Sequence, residues 1–85
     1  MTRAELQEKV VQALVSVAPE VDPATLRSDA PLRDQVDLDS MDFLRVIVEI
    51  HKQVGVDVPE ADYEKLGSLA STVDYLSARL RDTRV

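Results

Sequence analysis

The chain of 85 residues contains no cysteine, so neither a disulfide bond nor a thiolate metal site can stabilise its fold. A domain of this size buries only roughly 60% of the surface that its unfolded chain exposes, and close packing of apolar side chains must therefore supply most of its stability. Hydrophobic residues make up 45% of the sequence, but aromatic residues only 4%. This aliphatic composition favours packed helices over a β-sandwich, and the length predicts a single domain over residues 1–85.

The net charge of the chain indicates which kinds of partner it can bind. Ten Lys and Arg residues oppose sixteen Asp and Glu residues, which gives a formal net charge of -6. An acidic domain repels phosphate backbones, so we expect protein partners and no nucleic acid. No apolar run approaches the ~20 residues that span a bilayer, and the first residues lack the apolar segment of a signal peptide. We therefore expect a monomeric cytoplasmic protein without a membrane span.

Hydrophobic periodicity predicts three longer helices and one short helix. The predicted helices cover residues 2–17, 40–54, 59–66 and 68–80. Thr2 and Glu5 have the spacing of a capping box at the start of the first helix, and Gly55 is placed to end the second. Pro59 is tolerated in the first turn of the short third helix, and Ser68 is a preferred cap for the fourth. The predicted fold class is all-α.

A long connection joins the first two predicted helices. Residues 19–39 contain three of the four prolines and six acidic residues. Long segments without secondary structure are uncommon in compact domains and are often functional. We therefore interpret residues 19–39 as an ordered crossover, with one short helical turn predicted at residues 23–26.

The second predicted helix has two distinct faces. At about 100° per residue, the core-facing arc contains Phe43, Val46, Ile47, Ile50 and Val54. The opposite stripe contains Met41, Arg45, Val48 and Lys52, with Asp42 and Glu49 beside it. Asp39 and Ser40 stand at the start of the helix, and both residue types are preferred caps. On this local pattern, Ser40 is either part of a cap or an exposed attachment point with a docking surface beside it.

The sequence Asp39-Ser40-Met41 is similar to the Asp-Ser-Leu motif of acyl carrier proteins. The similarity extends through residues 49–50, 58–59, 64–66 and 73–76 and covers essentially the whole chain. It implies an acyl-carrier-like four-helix bundle with three longer helices, one short third helix and a long first loop. It also implies that a phosphopantetheinyl transferase attaches 4′-phosphopantetheine from coenzyme A to Ser40, with Asp39 and Met41 beside the cofactor.

The resemblance implies partners and further sites. Because the chain has no cysteine, the thiol that holds acyl groups as thioesters would belong to the prosthetic arm. The implied partners are acyl-loading and acyl-processing enzymes of lipid, fatty acid or polyketide-type biosynthesis. The implied docking residues are Met41, Asp42, Arg45, Val48, Glu49 and Lys52. The interior residues that would shelter an acyl chain are Phe43, Val46, Ile47, Leu66 and Leu69.

The sequence departs from the family pattern at three points. Asp37 stands where many members have glycine, and Met41 replaces the common leucine with another adaptable apolar side chain. Carriers of fatty acid synthesis usually present an acidic second helix to basic patches on their partners. Here the acids of residues 40–54 are balanced by Arg45 and Lys52, so the formal charge of this helix is zero. We therefore hypothesise a specialised carrier with dedicated enzymes.

No catalytic group is evident in the sequence. His51 is the only histidine, and it has no cysteine or second histidine with which to form a metal site or a nucleophilic dyad. Asp34, Asp37 and Asp39 lack the spacing of an EF-hand, so we predict neither a metal site nor enzymatic activity. A non-catalytic acyl carrier is the function that we predict. Two alternatives remain: an aminoacyl or peptidyl carrier, and a non-carrier helical interaction module in which Ser40 is merely a cap.

Overall fold

Helices organise the chain in the computed structural model, which describes residues 2–82 and the side chains of residues 2–80. The α-helices are α1 (Arg3–Val17), α2 (Leu32–Gln35), α3 (Ser40–Val54) and α4 (Leu69–Asp82), and the first and second 3-10 helices are Pro23–Thr25 and Glu60–Leu66. Residues 2–82 contain no strand, only one isolated bridge between Pro31 and Ser68. The all-α prediction, with three longer helices and a short one after Pro59, is confirmed.

Helix α1 supplies the first wall of the core. Its cap is Thr2, whose hydroxyl oxygen accepts a hydrogen bond from the Glu5 N–H at 3.1 Å. The same hydroxyl donates to the Glu5 carboxylate, so the two residues with capping-box spacing do contact each other. The helix packs against both α3 and α4. Its buried side chains are Leu6, Val10, Ala13 and Leu14.

The hydrophobic core lies between α1, α3 and α4. Helix α3 contributes Val46, Ile47, Ile50 and Val54, and α4 contributes Leu69, Val73 and Leu76. Phe43 and Leu80, which the periodicity also placed on core faces, are half-buried and pack against this cluster. Thr72 is the only buried polar residue in the part of the chain described, and its hydroxyl donates to the Ser68 carbonyl at 2.7 Å. The core is thus almost wholly aliphatic, as the composition predicted.

The end of α3 is set by Gly55. Its φ of 82° lies in the left-handed region, which glycine adopts without the steric penalty that other residues incur. The Gly55 N–H donates to the His51 carbonyl at 2.8 Å, which closes the last turn. After Gly55, Val56 and Val58 are buried and belong to the core. The predicted end of the helix at Gly55 is therefore confirmed, and its cause is the left-handed backbone conformation of this glycine.

The connection between α1 and α3 is ordered and contains two short helical segments. Asp22 caps the first 3-10 helix by accepting a hydrogen bond from the Ala24 N–H at 3.0 Å. The turn predicted at residues 23–26 therefore exists. Helix α2 was not predicted, because four residues with one buried side chain, Leu32, produce no periodic pattern.

Side-chain and backbone hydrogen bonds hold this connection in place. The Gln35 side chain accepts from the Arg27 N–H at 2.6 Å and donates to the carbonyls of Arg27 and Ala30 at 2.9 and 3.0 Å. The Leu32 N–H donates to the Gly67 carbonyl at 2.8 Å. These bonds place α2 directly against the segment that joins the second 3-10 helix to α4.

The predicted short third helix is the second 3-10 helix, which follows Pro59. It is only partly buried and contributes Leu66 to the core. At the start of α4, the Ser71 N–H donates to the Ser68 hydroxyl oxygen at 3.1 Å. Ser68 therefore caps α4 as the sequence predicted.

Replacing Gln35 by Ala should destabilise the connection. The substitution removes three hydrogen bonds, one of them to a partly buried carbonyl, so we expect the free energy of unfolding to fall by about 1–2 kcal/mol. Urea denaturation measures this loss. Gln12→Ala is the matched control, because Gln12 is exposed on α1, and its effect should stay within about 0.5 kcal/mol. Equal losses in the two variants would contradict the role assigned to Gln35.

Candidate functional site

Ser40 is the first residue of α3, and its side chain is exposed. The cap of the helix is Asp39, whose carboxylate accepts a hydrogen bond from the Asp42 N–H at 2.8 Å. The Asp39 carbonyl accepts the next one, from the Phe43 N–H at 2.9 Å. The Ser40 hydroxyl makes no hydrogen bond to the described residues. Of the two cap candidates in the sequence, the structure therefore selects Asp39 and leaves Ser40 chemically available.

The backbone around Ser40 suits a phosphate group. The N–H groups of Ser40 and Met41 have no acceptor among the described residues, as expected for the first turn of a helix. Such donors, together with the positive end of the helix dipole, favour an anion. Asp37 and Asp39 are exposed nearby and oppose that preference, although the Asp39 carboxylate is partly satisfied by its capping bond. The residues present therefore fit a phosphodiester on the Ser40 oxygen.

An open cleft with a volume of about 580 Å³ lies beside Ser40. We call it the Ser40 cleft. Its walls come from α2, the residues just before α3, the start of α3 and the second 3-10 helix. They include Leu32, Arg33, Leu38, Ser40, Phe43, Leu44, Glu60, Tyr63, Glu64 and Leu66. Arg33, Glu60 and Glu64 are exposed and form no ion pair with the described residues. The cleft thus combines apolar walls with three free charges.

Two aromatic rings meet at the Ser40 cleft. Phe43 and Tyr63 lie with ring centroids 5.7 Å apart and planes at 73°, the edge-to-face arrangement that aromatic pairs prefer. Both rings are half-buried. Since Phe43 belongs to α3 and Tyr63 to the second 3-10 helix, this contact joins the two elements across the cleft.

A small cavity lies in the interior behind the cleft. A cavity of about 10 Å³ is lined by four of the five residues that the sequence suggested for sheltering an acyl chain, and Leu69 does not line it. These four are Phe43, Val46, Ile47 and Leu66. A space of this size is at the lower limit for a single water molecule. The space between these four residues is therefore too small for an acyl chain in this structure, and sheltering of a chain there stays a prediction.

The second 3-10 helix is attached to α4 by a polar contact. The Tyr75 hydroxyl donates to the Asp62 carboxylate at 2.6 Å, and the Lys65 ammonium lies 3.4 Å from the same carboxylate. The hydrogen bond from Tyr75 lowers the pKa of Asp62, with Lys65 and Arg79 acting in the same direction against partial burial. Burial, followed by the Asp62 carboxylate, raises the pKa of Tyr75. The charged carboxylate and the neutral phenol therefore stabilise each other.

The outward face of α3 carries the large apolar side chains that the described chain leaves exposed. Met41, Leu44 and Val48 are exposed by 62%, 43% and 52%. The helical periodicity predicted Met41 and Val48 on this face but did not predict Leu44. The residue spacing does indicate its position: Leu44 lies three residues after Met41 and four before Val48, and residues at these spacings are neighbours on a helix surface.

Ion pairs along α3 bring opposite charges together. Arg45 lies 3.8 Å from Asp42, and Lys52 lies 3.4 Å from Glu49. In both pairs the cation is mostly exposed and the carboxylate mostly covered. We define the exposed stripe as Met41, Leu44, Arg45, Val48 and Lys52. The charged groups that this stripe exposes to solvent are therefore the cations of Arg45 and Lys52.

The exposed stripe and the Ser40 cleft are adjacent but distinct surfaces. Met41, Arg45 and Val48 do not line the cleft, whereas Leu44 belongs to both surfaces. The predicted site residues therefore fall into two groups: Ser40 at the cleft, and the proposed docking residues on the stripe and its flank. Leu44 is the side chain that joins the two.

The other predictions concern metal ions and membranes. His51 is exposed near the end of α3. Residues 2–82 contain no group of three or more His, Asp or Glu side chains placed to hold a metal ion. No helix in the same range has both the length and the apolar character needed to cross a bilayer.

Comparison with known proteins identifies the family. The family model for the phosphopantetheine attachment site matches residues 8–76. An acyl carrier protein of Chlorobium phaeovibrioides is 30% identical over 76 residues, which cover 89% of this chain and 96% of the relative. The polyketide-8 synthase acyl carrier protein 2 of Streptomyces avermitilis is 31% identical over 83 residues, covering 98% and 95%. The chain therefore belongs to the acyl carrier protein family, and its cofactor is covalently attached 4′-phosphopantetheine.

The contact between Asp62 and Tyr75 predicts a specific pH dependence. Because folding lowers the pKa of Asp62, the stability contributed by its carboxylate is present above its ordinary pKa and is lost as the pH falls through the folded value. Tyr75→Phe should raise the pKa of Asp62 toward its ordinary value and reduce the stability mainly above that pH. Carboxyl NMR titration and urea denaturation from pH 2 to 7 would measure both effects, a range of about five units around the ordinary carboxyl pKa.

Tyr63→Phe is the matched control for this titration. It also removes a phenolic hydroxyl, but one that has no hydrogen bond to the described residues. The pKa of Asp62 should be the same in Tyr63→Phe as in the wild type. An unchanged Asp62 pKa in Tyr75→Phe would contradict the assigned interaction.

Proposed function

We propose that Ser40 bears the phosphopantetheine and that the chain acts as a single, non-catalytic carrier domain. In this function it presents acyl thioesters to biosynthetic enzymes. The observation that supports the assignment is the exposed Ser40 hydroxyl, free of hydrogen bonds at the start of α3, in a chain whose residues 8–76 match the attachment-site family. The proposal includes a monomeric protein that works in the cytoplasm.

The loading reaction requires little from the carrier itself. The Ser40 oxygen forms a bond to the phosphorus that bears pantetheine in coenzyme A, and the pyrophosphate bond breaks. Adenosine 3′,5′-bisphosphate leaves, and the transferase takes the hydroxyl proton. Once attached, the arm supplies a thiol on which acyl groups are held as thioesters. The chain's contribution is to present a hydroxyl that its own hydrogen bonds do not occupy.

Residues next to Ser40 would hold the attached phosphate. The unpaired N–H groups of Ser40 and Met41 are the donors closest to the modified oxygen along the chain, and helix N-termini favour such anions. Asp39 keeps the helix start in place through its bond to the Asp42 N–H. Met41 projects from the outer face of α3, so its proposed role is toward the partner that approaches the arm.

Loading of Ser40 is directly measurable by intact mass. Incubating the purified apo protein with coenzyme A and a broad-specificity phosphopantetheinyl transferase should add one phosphopantetheinyl group. Ser40→Ala should remain unmodified. Ser28→Ala is the matched control, because Ser28 is another exposed serine and lies outside α3; it should be loaded like the wild type. An adduct on Ser40→Ala, or none on the wild type, would disprove the assignment.

The identity of the cargo has two candidate classes. Relatives named as acyl carrier proteins, one of them assigned to a polyketide synthase, support acyl groups of fatty acid or polyketide-type biosynthesis. An aminoacyl or peptidyl cargo is the alternative, for which the free carboxylates of Glu60 and Glu64 in the Ser40 cleft would suit an ammonium group. Mass spectrometry of the thioester on holo protein isolated from its source distinguishes these cargoes.

The exposed stripe, flanked by Asp42 and Glu49, is the proposed docking surface. Its apolar members, Met41, Leu44 and Val48, give a partner enzyme a contact ridge that begins next to Ser40. The outermost charges beside this ridge belong to Arg45 and Lys52. Like charges brought together at an interface are costly. We therefore propose dedicated partners, and not enzymes whose docking patches are basic.

A charge reversal tests this docking proposal. A ketosynthase of bacterial fatty acid synthesis with a basic docking patch should use the acylated wild type poorly. Arg45→Glu should raise kcat/KM roughly ten-fold by replacing repulsion with attraction at the contact. Arg27→Glu is the matched control, since it makes the same charge change in the connection before α2, and it should have little effect. Efficient use of the wild type, unchanged by Arg45→Glu, would refute the proposal.

A further inference from the structure

Arg33 differs from the other cations near Ser40 in its pairing. Residues 18–67 contain five Lys and Arg residues. Four of them, Arg27, Arg45, Lys52 and Lys65, lie within 4 Å of a carboxylate. The Arg33 guanidinium forms no ion pair with the described residues, and Arg33 is the one cation among the residues that line the Ser40 cleft. Its charge is therefore available to an anion at this cleft.

The backbone that carries Arg33 is fixed at the wall of the cleft. Arg33 belongs to α2, which the Val36 N–H closes by donating to the Leu32 carbonyl at 2.8 Å. The Leu32 N–H in turn donates to the Gly67 carbonyl at 2.8 Å, and Gly67 lines the same cleft. When Arg33 binds an anion, it therefore loses the freedom of its side chain only, and the backbone contributes no further entropy cost.

Carboxylates surround the attachment point. Asp37 and Asp39 are exposed within three residues of Ser40, and neither forms an ion pair with the described residues. On the wall formed by the second 3-10 helix, Glu60 and Glu64 are also exposed and unpaired within the described part of the chain. A phosphodiester on the Ser40 oxygen is negatively charged, so all four carboxylates repel it. The N–H groups at the helix start offset part of this repulsion, and a cation at the same cleft offsets more of it.

The chemistry of the guanidinium group matches that of a phosphodiester. The planar group presents its N–H donors as a fork, which can bind two oxygens of one phosphate at once. A phosphodiester has two non-bridging oxygens that share its charge. The other residues that line the cleft on the side of α2 are Pro31, Leu32 and Leu38, and their side chains have no donor. Arg33 is therefore the side chain on this wall that can bind the phosphate.

We infer that Arg33 pairs with the phosphodiester of the phosphopantetheine on Ser40 and holds the start of the arm at the wall formed by α2. The inference rests on the proposed attachment to Ser40. Arg33 acts as a positioning residue, because it binds the phosphate and does not touch the thioester. Since Glu60 and Glu64 repel the phosphate from the other wall, the opposite charges of the two walls give the arm a preferred side of the cleft.

Phosphorus NMR tests this pairing. Wild type, Arg33→Gln and Arg33→Lys are loaded from coenzyme A by a broad-specificity transferase, and each adduct is verified by intact mass. The phosphorus shift of the holo wild type should move toward that of urea-unfolded holo protein as the ionic strength rises from about 0.01 to about 1 M, because the screening length falls from roughly 30 to roughly 3 Å. This salt dependence should be largely lost in Arg33→Gln and retained in Arg33→Lys, which keeps the charge.

Arg27→Gln is the matched control. Arg27 is also an exposed arginine of the connection between α1 and α3, but it does not line the cleft, so its loss should leave the salt dependence of the wild type unchanged. The side-chain Nε–H signals give a second measurement. On loading, the Arg33 Nε–H should shift and exchange with water roughly two- to five-fold more slowly, as expected for an exposed ion pair. The Arg27 Nε–H should not change.

The outcomes separate the inference from the function on which it rests. An Arg33 Nε–H signal that is identical in the apo and holo proteins would overturn the pairing. Equal salt dependence in Arg33→Gln and Arg27→Gln would also overturn it, because the phosphate would then respond only to the total charge of the protein. Absence of an adduct on the wild type would instead refute attachment at Ser40, so the two failures are distinguishable.

Discussion

The hydrogen bond from the Asp42 N–H to the Asp39 carboxylate determines where α3 begins, and the arrangement of both functional surfaces depends on that start. If Ser40 were the cap, its hydroxyl oxygen would be the acceptor of this bond and less available for modification. Successive helical residues are rotated by about 100°, so a start displaced by one residue would also redirect Ser40 relative to the cleft. With Asp39 in the capping role, the core residues Val46 and Ile50 are buried on the face of α3 that packs against α1, while Ser40 remains exposed.

The surroundings of Ser40 are assembled from distant parts of the chain. The cleft needs α2 on one side and the second 3-10 helix on the other. They contain four and seven residues, and helices this short are not stable in isolation. Gln35 fixes the connection through three hydrogen bonds, and Tyr75 attaches the second 3-10 helix to α4. In a protein without disulfide bonds, these hydrogen bonds position the two short elements, whereas apolar packing positions the helices of the core.

The sequence predicted those features that repeat along one helix. The apolar spacings of α1, α3 and α4, the cap at Thr2 and the end of α3 at Gly55 are local properties, and the structure agrees with each of them. Helix α2 was missed because a single buried Leu32 has no period. Leu44 was missed for a different reason: at about 100° per residue it lies between the core-facing arc and the centre of the stripe, so the periodicity assigns it clearly to neither face.

Other features of the site were beyond the reach of sequence patterns. Ser40 was identified through resemblance, but its free hydroxyl follows from competition with Asp39 for one N–H group, which two equally good cap residues leave undecided. The size of the interior cavity is also invisible in the sequence. Phe43, Val46 and Ile47 share a helical face in either case, and only the position of Leu66, brought from the second 3-10 helix, shows that the cavity between them measures about 10 Å³.

The paired charges on α3 have a consequence for how fast partners find this carrier. Each cation on the exposed stripe lies within 4 Å of a carboxylate on the same helix, so the field of the pair decays over a short distance. Long-range steering, which accelerates association between oppositely charged surfaces, should therefore be weak for this face. The pairs on α3 therefore add little steering of their own, and the salt dependence of encounter comes from the formal net charge of -6 of the whole chain. Productive encounters would then depend on apolar contact with Met41, Leu44 and Val48. Partners would therefore be distinguished by the dissociation rate of the complex more than by its association rate.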